Sequence, residues 1–267
     1  MAHGPEYFPS KGACIYCGAQ DRRLGDEHVV PYSLGGTHVI RKASCPQCEN
    51  MTKKFEQKVA RDLWGDARTA FNQPTRRKKE RKTHIDLTPH GGENVPFDVY
   101  PAVFVFYKMA PCGYLQGLPE SVDISSSWEF VAIDDEARRN AFFQQYGSYA
   151  PIQFRHVPDD FGRLLAKIAY CQILTALDPG DFRAVILPYI KGEKKNLSYL
   201  VGGIDTVPDD NLGYRLTTMY AEHDTGLILM VEIRLYANTH APTYQVIVGD
   251  VVEPEAVKRV REKLDNA

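Results

Sequence analysis

Four cysteines fall in two matched pairs, Cys14-Ile15-Tyr16-Cys17 and Cys45-Pro46-Gln47-Cys48, with residues 18–44 between them. A Cys-x-x-Cys turn aims two thiolates at one point, and two such turns complete a tetrahedral sulfur shell. Four sulfurs suit Zn²⁺ better than harder cations. A filled shell has no open position, so a Zn²⁺ on Cys14, Cys17, Cys45 and Cys48 is expected to be structural. Its binding would contribute folding free energy to a short, Gly-rich segment with few apolar residues. Cys112 and Cys171 stand alone among apolar neighbours and read as core thiols.

Between the pairs lies Glu27-His28-Val29-Val30-Pro31, followed by Ser33-Leu34-Gly35-Gly36. The alternation predicts a short strand that leaves at Pro31 into a glycine turn. After Cys45, apolar residues Met51, Phe55, Val59, Leu63, Ala67 and Phe71 recur at every fourth place, which predicts a helix with one apolar face. Glu49 and Asn50 fall in its first turn, where an acid suits the helix dipole. A strand carrying an acid and an imidazole is thus expected to face a helix start carrying an acid and an amide.

These residues together resemble the HNH endonucleases of the zinc-stapled kind, with their strand-strand-helix metal fold. The resemblance rests on Cys14, Cys17, Glu27-His28-Val29-Val30-Pro31, Gly35-Gly36, Cys45 and Cys48, and covers roughly residues 12–72. It implies that Glu27 binds a catalytic Mg²⁺ or Mn²⁺ and that His28 is the general base that activates water. Imidazole has a suitable pKa for that step, and a cation stabilises charge on the transferring phosphate and the leaving oxygen. The family carries an Asn or His directly after the fourth cysteine. Here Glu49 stands there with Asn50 next, so one of the two is expected to complete the ion site, Glu49 by preference. Glu56, two turns further along the same face, is a further ligand candidate or a supporting group. The family's middle Asn is Ile40 here, which leaves its loop to be held otherwise, with Ser44 as the candidate.

The chain of 267 residues has a formal charge of −2, but residues 1–92 hold 16 Lys+Arg against 10 Asp+Glu, and the rest holds 16 against 24. A basic front joined to an acidic back predicts an anionic partner at the front. Arg76, Arg77, Lys78, Lys79, Arg81 and Lys82 form a tract directly after the helix, expected to contact phosphates of nucleic acid, double-stranded DNA by preference. Arg61 and Arg68 would extend the path. No apolar run reaches the roughly 18–20 residues of a membrane span, and no signal peptide is legible, so a cytoplasmic location is expected.

The expected fold class is α+β. A small zinc-stabilised module with its long helix and basic tract occupies 1–82, a linker 83–96, and a larger α+β domain with a mainly antiparallel sheet 97–267. Strands are predicted at Val99–Tyr107, Trp128–Ile133, Ala184–Ile190, Ser198–Val201, Tyr214–Tyr220, Leu227–Tyr236 and Tyr244–Val248. Helices are predicted at Asp134–Tyr146, from Pro158 to near Asp178, and from Glu253 to Leu264. Glu222-His223-Asp224-Thr225-Gly226 reads as a turn rather than a metal cluster, and Lys191–Asn196 as an exposed hairpin connection. His84 and His90 sit in the linker without a ligand pattern. The larger part carries no recognisable chemistry; positioning DNA, sensing a ligand, forming a homo-oligomer or binding a protein partner are the roles open to it. The rival to an endonuclease is a zinc-stabilised nucleic-acid reader that does not cleave, and behind it a zinc-knuckle protein-interaction module. A role in bacterial defence is compatible with the resemblance.

Overall fold

In the computed structural model, residues 4–75, 78–87, 93–147, 149–150, 153–209 and 213–266 are described, the side chains of residues 78 and 93 excepted. The fold is α+β throughout. At the front, β2 (Gly25–His28) pairs antiparallel with β3 (His38–Ser44), and α1 (Pro46–Lys58) follows. A short strand that the sequence did not announce, β1 (Glu6–Phe8), runs parallel along the other edge of β3.

The connection between β2 and β3 depends on two glycines. Gly35 adopts φ 84°, in the left-handed region. A Cβ on Gly36 would lie 1.7 Å from the Val30 carbonyl oxygen, so only glycine lets the loop close back on its own strand. The pairing also shifts: Gly25 lies opposite Ser44, yet Glu27 lies opposite Ile40. Lys42 turns through φ 46° at this bulge, and its N–H donates to Asp26 Oδ1 at 3.0 Å. Ser44 was expected to hold the loop, but its hydroxyl is buried and makes no hydrogen bond among the described residues. Asp26 does the pinning instead.

Helix α1 starts with Pro46 in its first turn and Cys45 at its N-cap, which suits a residue without an N–H. Apolar residues spaced by four overshoot a helical turn by about 40° per step. A five-residue π segment, Val59–Leu63, takes up part of that drift before α2 (Gly65–Ala70) continues. Phe55, Val59, Leu63 and Ala67 consequently stay buried.

The remaining elements begin with β4 (His84–Leu87) and β5 (Glu93–Pro96), which pair antiparallel inside the stretch expected to be a linker. β6 (Phe104–Lys108) pairs with β7 (Glu129–Ile133), followed by α3 (Glu136–Tyr146) and α4 (Pro158–Ala176). β8 (Val201–Ile204), β9 (Tyr214–His223), β10 (Gly226–Leu235) and β11 (Thr243–Val251) form an antiparallel sheet in the order β8-β11-β10-β9, and α6 (Pro254–Asp265) closes the chain. His223 pairs with Gly226, so Asp224-Thr225 is indeed a two-residue turn. The expected strand at 184–190 is instead largely helix α5 (Leu187–Lys191), with Pro188 in its first turn and Gly192 at φ 77° ending it. Residues 191–196 therefore leave a helix and do not connect a hairpin. Leu197–Tyr199 is a 3-10 turn, and the strand expected from Ser198 starts only at Val201.

Helix α4 is the hub. It packs against α1 on one side and against the four-stranded sheet on the other. Trp64 meets Phe161 edge-on at 5.8 Å and Phe106 at 5.3 Å, and Phe161 meets Tyr244 at 5.4 Å. Such ring pairs add roughly 0.5–1.5 kcal/mol each beyond their buried area. Trp64 Nε1 donates to the Val105 carbonyl at 2.6 Å. One buried cluster therefore runs from the cysteines through α4 into the sheet.

Candidate functional site

The four thiols converge. Their sulfurs all lie within 4.8 Å of one another, with Cys17 and Cys45 Sγ 3.8 Å apart. Tetrahedral Zn–S bonds of about 2.3 Å give an S···S edge of about 3.8 Å, so the cluster fits Zn²⁺ in size as well as in chemistry. Local backbone aims each sulfur. Gly18 takes φ 74° and donates its N–H to the Cys14 carbonyl at 2.8 Å, which closes the first knuckle. The Cys45 N–H donates to Cys14 Sγ at 3.4 Å, and α1 begins at once, bringing Cys48 round in its first turn. Burial pushes the Cys45 thiol up, but the Cys48 N–H and the neighbouring thiols outweigh it and bring it down to about 7. Cys112 and Cys171 are buried, and burial raises both thiols, Cys171 to about 12, so they are inert core groups.

Beside this staple a cleft of about 760 Å³ opens between the end of β2 and the faces of α1 and α2. His28 and Glu27 line it from β2, Tyr32 and Ser33 from the turn, and Glu49, Thr52, Lys53 and Glu56 from α1. The strand and the helix start thus face each other across it. His28 is half-buried in the wall, with the Tyr32 ring 6.0 Å away. Glu49 is half-exposed, its carboxylate 2.5 Å from Lys53 Nζ. Asn50 is exposed and does not line the cleft, so the amide of the expected ion site is absent from it.

Glu27 differs most from expectation. It is 5% exposed, and Lys167 of α4 lies against it, 1% exposed. Lys167 Nζ is 2.8 Å from Glu27 Oε1 and 3.0 Å from Glu56 Oε1, and it donates to the carbonyls of His28 and Val29. Burial alone would lower the lysine's pKa, but the two carboxylates raise it well above the usual value, so it is protonated. Glu56 is itself pushed up by burial, against the pull of Lys167. A carboxylate held in the interior against an ammonium that it shares with Glu56 is poorly placed to take up an ion as well. Of the acids and amide expected at a catalytic ion, Glu49 is the half-exposed one in the cleft, and its pairing with Lys53 is made in solvent, where it is screened. Among the described residues, the four cysteines are the one group of His, Cys, Asp or Glu gathered closely enough to hold an ion unaided. An ion in the cleft would therefore need a substrate phosphate to complete its shell. Sequence reasoning missed Lys167, although a lone lysine in Leu164-Leu165-Ala166-Lys167-Ile168-Ala169 signals a buried charge that needs a partner.

Of the basic tract, Arg76, Arg77 and the side chain of Lys78 lie outside the described residues. Lys79 is exposed and does not line the cleft, Lys82 is exposed and lines it, and Arg81 lines it while bonded to Asn72 and to the Gln73 carbonyl. Arg68 is occupied otherwise. Its guanidinium donates to the carbonyls of Ser33, Ala60 and Pro74 at 3.1, 3.2 and 3.2 Å, tying the glycine turn to the π segment. Arg61 is exposed on the cleft rim and makes no ion pair among the described residues. His84 is exposed beside Thr83, and His90 lies outside the described residues.

A zinc-type staple beneath a strand-turn-strand-helix unit, with an imidazole and the helix's first turn lining one cleft, defines a ββα nuclease-type module. Residues 14–63 match the family model described as HNH endonuclease, and this part of the chain is an HNH module. No curated protein and no solved structure matches the chain. No helix among the described residues is long and apolar enough to cross a membrane.

Proposed function

We propose that the protein is an endonuclease that hydrolyses phosphodiester bonds of nucleic acid, with double-stranded DNA as substrate and His28 as general base. The observation that carries this reading is the position of His28 on the wall of a cleft rimmed by Arg61 and Lys82. The rim cations hold flanking phosphates and set the strand's path. The His28 imidazole takes a proton from a water molecule as that water's oxygen bonds to phosphorus, and the bond from phosphorus to the leaving oxygen breaks. Mg²⁺ or Mn²⁺, when bound, supplies charge stabilisation at the phosphate and leaving oxygen, and Glu49 is the side chain that would hold it.

The test is nicking of supercoiled plasmid with and without Mg²⁺ or Mn²⁺, alongside His28→Ala. Removing a general base costs about 10²–10⁴-fold, so the variant should lose nicking while keeping its zinc content and melting temperature. Full activity in His28→Ala would remove His28 from the mechanism. A second reading, a nucleic-acid reader without cleavage, is favoured by one observation, the capture of Glu27 by Lys167. It expects salt-sensitive DNA binding and no nicking with any divalent ion.

A further inference from the structure

We infer that the ammonium of Lys167 holds the place at Glu27 that a divalent ion would otherwise take, so that Glu27 is a counter-charge and Lys167 the positioning residue for His28. The inference deepens the nuclease reading and, for its activity arm, rests on it.

The ammonium reaches from one piece of chain into a cage made by two others. Glu27 and the His28 carbonyl belong to β2, Glu56 to α1, and Lys167 itself to α4. Because it grips the carbonyl of His28 directly, the ammonium fixes the backbone from which the imidazole projects. With 1% exposure it does not touch substrate, so its action passes through His28. An ion bound by Glu27 would have to share that carboxylate with an ammonium 2.8 Å away, where both groups are buried. Like charges repel strongly in such surroundings. The ion is thereby left to the outer part of the cleft, where Glu49 stands half-exposed and its pairing with Lys53 is screened by solvent. The chain distance matters as well: Lys167 lies 139 residues beyond His28, so the HNH module depends on α4 for the geometry of its own site.

The experiment measures Mn²⁺ binding to the full, zinc-loaded chain without DNA, by the loss of the free-ion signal in electron paramagnetic resonance. Glu27→Gln should leave the wild-type response unchanged within about twofold, undetectable binding by both included. This arm needs no cavity, because the amide oxygen still accepts from the ammonium. Lys167→Ala should gain a Mn²⁺ site at least tenfold tighter than any in the wild type, and adding Glu27→Gln to it should abolish the gain. The pair Glu27→Gln/Lys167→Met should lower kcat for nicking at least tenfold with KM for DNA unchanged. A tenfold or greater loss of Mn²⁺ affinity in Glu27→Gln alone would overturn the inference, since it would make Glu27 an ion ligand. Wild-type kcat in the paired variant would overturn the positioning role. The Mn²⁺ arms involve no cleavage, so they decide the place of the ammonium even where the wild type does not nick.

Discussion

Stripping the zinc should unfold the chain as one unit rather than peel away its front. The perturbation is a chelator at neutral pH, or Cys48→Ser. Structural zinc contributes about 10–16 kcal/mol of apparent binding free energy in small zinc modules, whereas a whole domain is stable by only about 5–15 kcal/mol. The loss would propagate because the knuckle is buried against α4: Tyr170 donates to the Ile15 carbonyl at 2.6 Å, and Tyr16 meets Cys171 Sγ at 3.4 Å. Releasing Ile15, Tyr16, Phe55 and Trp64 from this contact, at about 1.5–3 kcal/mol for each large side chain, forfeits about 6–12 kcal/mol. That matches the stability of the whole. Calorimetric scans with and without chelator, with released zinc measured by a colorimetric indicator, should show one transition that moves down, and one zinc per chain. Two transitions, the upper one unmoved by chelator, would refute the reasoning and leave residues 97–267 as an independent folding unit.

Three further outcomes follow from the same geometry. Gly36→Ala places a Cβ where the Val30 carbonyl oxygen stands; it should cost about 1–3 kcal/mol or more in urea unfolding, and an unchanged midpoint would deny the close approach. Arg61→Ala and Lys82→Ala should each reduce the slope of log affinity against log salt by about 1 in DNA anisotropy titrations, and an unchanged slope would take that residue off the phosphate path. Asp181 is pushed up by burial, but Lys263 at 2.6 Å, the Asp178 N–H and Arg259 outweigh this and hold it below the usual carboxylate range. Its stabilisation is therefore present above the unfolded value of about 4 and lost as pH falls through the lower folded value. Asp181→Asn should melt earlier than wild type at pH 7 and converge with it in strong acid; a gap independent of pH would refute the assignment.

The sequence by itself determined what depends on short-range spacing. Two Cys-x-x-Cys turns, Glu27-His28 before a glycine turn, and an apolar stripe after Cys45 each express local geometry, and each was legible within a few residues. The hairpin at Asp224-Thr225 and the strands β9, β10 and β11 were legible for the same reason, since alternation and turn chemistry are local. Ala184–Ile190 was not, because a short apolar run suits strand and helix alike; Pro188 and Gly192 were the only hints of α5. Tertiary structure alone decided the state of Glu27. A carboxylate's role depends on which charge reaches it, and the ammonium that does so arrives from α4, far along the chain. The same holds for Arg68, whose place in the sequence suggests phosphate but whose donors are taken by three carbonyls drawn together only when the glycine turn, the π segment and Pro74 meet. Charges act over distances that folding sets, so their partners lie beyond the reach of sequence spacing.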